Sequence, residues 1–385
     1  MGEREGRIME PNTHKAFTSG MLLPELVSVR GLAALWILFA HTTVMVLPHA
    51  YPHAIEYSRI VVDLFFILSG FVLAHMYDPA WKEGRFRYAP FLIRRLARLW
   101  PLHLATTLGA AGLLLGARMI GRDLDVPHTF GNFLLTNGLL HSVWLTDGLV
   151  WNWPSWSVSA EWIAYMMIPL YFLAADRVRG TATRIVVSLA LFAVASFASH
   201  AFLDENLVSL TFDGGAARLV PSFFAGILLR RIFDDVPALS AMTRPVYALT
   251  LAGPIAVCCA LVALNAPYDA LWPPMLVLVV GLAARATWSA PGLLRRPTLI
   301  WLGDLSYSIY MTHGLVIMTL FKFANWSGFS ATLSGRLVTG VAVVVATLLV
   351  SMATYAWIEK PGRGLFMNGV EALQRAVARS RRAVG

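Results

Sequence analysis

Cysteine is almost missing from this chain: there are two in 385 residues, adjacent at Cys258 and Cys259. Their scarcity and placement exclude a disulfide framework and a cysteine-built metal centre, and the pair reads as small core residues. Charge is scarce as well, 14% of residues against 57% apolar. That balance falls outside soluble globular usage and inside the polytopic membrane class. No stretch has the composition of a soluble domain, and residues 1–20 lack the apolar core of a cleaved signal peptide.

What the sequence has in abundance is apolar runs. About ten of them, each roughly 16 to 25 residues long, match the length a helix needs to cross about 30 Å of hydrocarbon. They begin near Ser28, Arg59, Trp100, Trp153, Ala182, Ala216, Pro245, Trp272, Gly303 and Leu333. The expected fold is therefore all-α: a polytopic membrane protein with about ten transmembrane helices over residues 28–358, an N-terminal segment 1–27 and a basic tail 359–385. Pro169, Pro221 and Pro254 interrupt three of the runs. The stretch from Gly121 to Asn152, with Trp144 and Trp151, reads as interfacial or re-entrant.

Acidic residues number 22 against 31 Lys and Arg, a net charge of +9. The excess is periodic. Lys82, Arg85, Arg87, Arg94, Arg95 and Arg98 lie between the second and third spans; later alternate connections carry Arg177, Arg179 and Arg184, then Arg230, Arg231 and Arg244, then Arg285, Arg295 and Arg296. The tail adds Lys360, Arg363, Arg375, Arg379, Arg381 and Arg382, whereas residues 48–58 hold no Lys or Arg. The positive-inside rule then places both termini in the cytoplasm. This periodic placement explains the positive balance by topology and argues against nucleic-acid binding.

Against this apolar background a few polar residues stand out, and ionisable groups at membrane depth are costly enough to count as functional candidates. Arg30 and His41 are eleven residues apart, about 1100° of rotation and about 16 Å of rise, so they share one helical face at different depths. Glu161 lies eight residues into the fourth span and His313 ten into the ninth, which brings both to a depth similar to that of His41. Ser157, Glu161 and Tyr165 form one polar stripe; Ser306, Tyr310 and His313 form another, as on helices that line a cavity. The plainer reading of His41 is a hydrogen-bonded bundle histidine. Asp63 reads as a helix cap, a substrate contact or the partner of a cation. Ser69 and Gly70 read as small residues that let helices approach. Arg94, Arg95 and Arg98 either set orientation and touch anionic lipid or clamp an anion, with Arg94 and Arg98 stacked at i, i+4.

Six stretches occur in order: Arg30 and His41; Asp63-Leu64-Phe65-Phe66-Ile67-Leu68-Ser69-Gly70-Phe71; Arg94-Arg95-Leu96-Ala97-Arg98-Leu99-Trp100-Pro101; Ser155-Trp156-Ser157-Val158-Ser159-Ala160-Glu161-Trp162; Leu302 to His313; and Trp357-Ile358-Glu359-Lys360-Pro361. In this series, which covers nearly the whole chain, the sequence resembles the acyltransferase-3 family of integral-membrane acyltransferases. The resemblance implies a ten-helix fold in a bacterial inner or plasma membrane. It also implies acyl-CoA, with acetyl-CoA as the first expectation, as cytoplasmic donor and a sugar or other hydroxylated acceptor on the outer side. It carries essential roles to Arg30 and His41 and donor binding to Arg94, Arg95 and Arg98.

The chemistry expected is acyl transfer with His41 as general base and Glu161 orienting its imidazole. Asp63, Tyr310 and His313 would contact the substrate, and no metal would be needed. An acyl-histidine relay on His41 is the other covalent route. The rival class is a proton-coupled secondary transporter, which would also bury His and Glu but would show an internal repeat between halves; none is visible.

Overall fold

The computed structural model describes residues 23–122, 129–240, 242–283 and 292–384. Expectations for residues 1–22, for Arg285 and for the side chains of Arg379, Arg381 and Arg382 fall outside what is described. The regular elements are helices: α1 Pro24–Val46, α2 Val61–Lys82, α3 Tyr88–Met119, α4 Phe130–Asn137, α5 Trp156–Met166, α6 Ile168–Arg177, α7 Thr181–Leu203, α8 Gly215–Asp235, α9 Arg244–Ala263, α10 Trp272–Ala283, α11 Pro297–Asp304, α12 Ser306–Trp326, α13 Leu333–Thr354 and α14 Lys360–Val384. Long apolar runs fold this way because hydrocarbon offers no partner for a backbone N–H or C=O, so each must be satisfied within its own segment. Proline sits at the first or second position of α1, α6, α9 and α11, where its fixed φ and missing N–H cost nothing.

A helix occupies each of the ten places the apolar runs mark, but they are not ten alike. Among the described residues six, those of α1, of α2 with the short helix His53–Ile60 that leads into it, of α3, α7 and α9, and of α13 with its continuation into α14, are long and apolar enough to cross a membrane. The fourth run is broken: α5 and α6 meet at 62°. Pro169 accounts for the break, since it removes one amide donor and its ring would clash with the carbonyl of Tyr165. The α8 helix carries Arg218, Arg230, Arg231, Asp234 and Asp235 and is not lipid-like in composition. It has no need to be, because α2, α5 and α7 pack around it: Arg218 and Arg231 are buried and paired with Asp63 and Asp78, while Asp234 and Asp235 at its C-terminal end are exposed.

Two crossings depend on glycine. A Cβ on Gly70 of α2 would lie 2.0 Å from the carbonyl oxygen of Phe223, and one on Gly226 of α8 would lie 2.1 Å from that of Ile67, so these backbones touch. At the α1–α11 crossing a Cβ on Gly303 would stand 2.1 Å from the carbonyl oxygen of Val27. Small residues permit this approach, and close van der Waals packing replaces the hydrophobic drive that is weak in lipid.

Ion pairs gather at one end of the bundle: Arg295 with Glu25, Arg231 with Asp78 and Asp176, Lys82 with Asp234, and Arg184 with Asp235. At the other end Tyr57 donates to the carbonyl of Ala266, Tyr268 to Glu56 and Arg59 to Ser209. The loops that the charge count groups together are thus together in space.

Two expectations need correcting here. The α3 helix starts at Tyr88, so Arg94, Arg95 and Arg98 are helical residues on its first turns and not part of a connection; arginine is a good helix former, so the basic run extends the helix. Cys258 is only half-buried and Cys259 exposed on α9, a helix with little protein around it, so neither is a core residue.

Candidate active site

Two cavities lie along the face of α1 that carries Arg30 and His41. The first is reached by Arg30 from α1, Arg95 and Arg98 from α3, and Glu161 and Tyr165 from α5, with Tyr310 of α12 among its walls. The second has His41 and Trp153 at one end.

Within the first cavity the three α3 arginines separate. Arg95 is buried: it donates to the Tyr77 hydroxyl at 2.9 Å and lies over the rings of Tyr77, Phe91 and Tyr165. Arg94 stands beside Tyr77 and does not line the cavity. Arg98 lines it together with Arg30, and neither makes an ion pair at contact distance among the described residues. The Arg94–Arg98 clamp expected from i, i+4 spacing is therefore replaced by Arg98 with Arg30, two guanidinium groups from different helices. Such a pair, with Arg95 behind it, has the donor forks that suit phosphate oxygens.

Glu161 belongs to this arginine cavity. The Ser69 hydroxyl donates to it at 2.6 Å, the Tyr165 hydroxyl also donates to it, and it is among the charges that act on Arg30 and Arg95. Its expected role beside His41 is accordingly corrected: similar depth on different helices did not mean contact. Ser69, read as a packing residue, is its hydrogen-bond partner.

His41 pairs instead with His313. The Nδ1 of His41 lies 3.1 Å from Nε2 of His313, and the rings are within 4° of parallel with centroids 5.2 Å apart. These values describe an in-plane N–H···N bond and not a face-to-face stack. The Nδ1 of His313 is 2.6 Å from the carbonyl oxygen of Tyr310, which can only accept, so this nitrogen carries the proton. In the neutral ring Nε2 is then an acceptor, so Nδ1 of His41 must donate to it, and Nε2 of His41 is left with its lone pair. The indole of Trp153 packs edge-on against both imidazoles, at 4.6 Å and 5.4 Å between centroids. His313 is fully buried, while His41 keeps some exposure where it meets the second cavity.

Tyr310 links the two regions. Its ring lines the arginine cavity, its hydroxyl accepts from Ser157 at 2.8 Å and donates to the carbonyl of Pro154 at 3.0 Å, and its own carbonyl orients His313. The last of the six stretches contributes as well. A π-helical turn at Tyr355–Glu359 presents Glu359 to Ser308, which donates to it at 2.6 Å, and Glu359 faces Arg30 and Arg98.

Asp63 is the candidate the structure removes from the substrate. It is fully buried and takes two hydrogen bonds from Arg218, at 3.1 and 2.7 Å, and one from Ser222 at 3.0 Å. Arg218 further donates to the carbonyls of Arg59 and Leu210, and Trp272 donates to Ser222. Asp63 makes no cap bond to its helix; of the three expected roles, it fills that of partner to a cation. Its partner went unnoticed in the sequence, although Arg218 interrupts an apolar run as conspicuously as Asp63 does. Trp153, which marks only the start of the fourth apolar run in the sequence, likewise joins the site through the two imidazoles.

Comparison with known proteins shows the family. Residues 24–356 match the model of the Acyl_transf_3 acyltransferase domain, and the chain belongs to that family of membrane acyltransferases. It is 28% identical to acyltransferase MdmB of Streptomyces mycarofaciens over 85% of this chain and 89% of that one. It is 27% identical to exopolysaccharide production protein ExoZ of Rhizobium meliloti (strain 1021) over 78% of this chain and 88% of that one. No solved structure matches it.

Proposed function

We propose that the protein moves an acyl group, acetyl being the first choice, from acyl-CoA to a hydroxyl of a sugar or glycosylated acceptor. The donor would approach from the arginine-rich, cytoplasmic end of the bundle and the acceptor from the opposite end. The observation that carries this reading is the chain of two hydrogen bonds from His41 through His313 to the Tyr310 carbonyl, which leaves a lone pair on Nε2 of His41 when both rings are neutral, on the helix face that also carries Arg30.

Arg30, Arg98 and Arg95 offer phosphate contacts for the coenzyme, and the thioester would extend past Tyr310 toward the histidines. His41 Nε2 takes the proton of the acceptor hydroxyl as its oxygen attacks the thioester carbonyl carbon. The C–O bond forms, the C–S bond breaks, and the imidazolium returns the proton to the departing thiolate. His313 holds His41 in the correct tautomer and accepts from its Nδ1–H while the ring is charged, the part an aspartate plays in a serine-hydrolase triad. Glu161 would then hold Arg30 and Arg95 in place and would not act on His41. The family assignment favours acyl transfer over the transporter alternative, and the name of the relative ExoZ supports a carbohydrate acceptor.

Reconstituted protein supplied with labelled acetyl-CoA and a panel of glycosides tests this. Transfer of label by the wild type and none by a folded His41→Ala variant is the expected result. Normal transfer by that variant would remove His41 from the mechanism.

A further inference from the structure

The second cavity has chemistry of its own. Beyond His41 and Trp153 its walls are Val44 of α1 and Ile317, Met318 and Phe321 of α12. Polar groups return only at its far end, with Lys322 and Asn325. From His313 to Lys322 is nine residues of helix, a rise of about 13 Å. His41 therefore stands at one end of a corridor whose sides, among the described residues, carry no polar side chain over most of that length.

A water-soluble polysaccharide entering this corridor would leave its hydroxyl groups without partners against valine, isoleucine and phenylalanine, which is unfavourable for every one of them. An apolar group would instead gain from the same surface. We infer that the acceptor is amphipathic: a sugar hydroxyl carried on an apolar body, with the hydroxyl at His41 and the apolar portion along Val44, Ile317 and Phe321. This rests on the acyl-transfer reading for the identity of the hydroxyl. The apolar requirement rests on the walls alone.

Photolabelling examines the corridor without needing catalysis. Protein in nanodiscs is irradiated with an octyl glucoside bearing a diazirine at the chain end, and adducts are mapped by mass spectrometry. Adducts on the 317–321 stretch that excess octyl glucoside removes and excess methyl glucoside leaves, and that fall at least fivefold in Met318→Gln or Val44→Thr, are expected. Within an alkyl series, each added methylene should tighten competition about three- to fourfold until the corridor is filled. Equal competition by methyl and octyl glucoside would overturn the inference. So would adducts displaced by phospholipid but not by octyl glucoside, which would mark the corridor as a seat for bilayer chains only. Labelling that persists while no acyl transfer is found for any acceptor would sink the acyl-transfer reading and leave the corridor's preference standing. Transfer without corridor labelling would do the reverse.

Discussion

At the scale of single residues, the arrangement turns on which nitrogen of each imidazole holds a proton. A carbonyl oxygen can only accept, and from that one fact at Tyr310 the tautomers of His313 and then His41 follow in order. In the proposed mechanism His313 is thereby a positioning residue. His313→Phe, which keeps bulk and removes the acceptor, should lower kcat by roughly 10² to 10⁴ with little change in the KM for acyl-CoA. His313→Gln, whose side-chain oxygen can accept from His41, should recover part of that loss. Equal defects in both variants, or a loss confined to KM, would instead place His313 in substrate binding.

The residue scale also separates the arginines. Arg98→Ala should raise the KM for acyl-CoA tenfold or more and weaken its dependence on salt, because Arg98 lines the cavity without an ion pair at contact distance among the described residues. Arg94→Ala should do much less, since Arg94 stands outside the cavity wall. Matching effects in steady-state kinetics would restore the i, i+4 clamp that spacing alone suggests.

At the scale of elements, the α2–α8 pair is the frame on which the rest is hung. Gly70→Ala or Gly226→Ala drives a methyl group into backbone that cannot retreat like a flexible side chain, so a loss of about 1–3 kcal/mol or more is expected. Gly116→Ala on α3, with nothing within 4 Å of the added methyl, should be neutral or slightly stabilising. Thermal unfolding in detergent compares the three.

The same two helices are bridged by Asp63 and Arg218. Removing one partner strands a buried charge, so Asp63→Ala should cost about 3–5 kcal/mol. The double variant Asp63→Leu with Arg218→Met should regain most of that stability and much of the activity. Stability recovered with activity still absent would return Asp63 to the list of substrate contacts.

At the scale of the whole molecule, the bundle sets two chemistries at different heights along α1. Guanidinium groups lie toward the end where the basic loops gather, and the imidazole pair lies about 16 Å of helix rise further along α1. In the proposed reaction the phosphates of the donor would stay near water at the first while the reacting bond would reach the second, where hydrogen bonds are less diluted by solvent. Helices such as α8 that could not face lipid are wrapped by those that can, which is how Arg218 and Arg231 come to be buried inside a membrane protein.

What the sequence by itself determined was local and cumulative: the all-α class, the ten helix positions, the end at which basic loops collect, and the set of polar residues worth watching. Each depends on hydrophobic length, charge count or helical pitch, which are properties of one segment at a time. The tertiary structure alone decided who meets whom. Helical periodicity gives a residue's face and depth but not the neighbour across the crossing, which packing at Gly70, Gly226 and Gly303 selects. Hence Glu161 went to the arginines, His313 to His41 and Asp63 to Arg218.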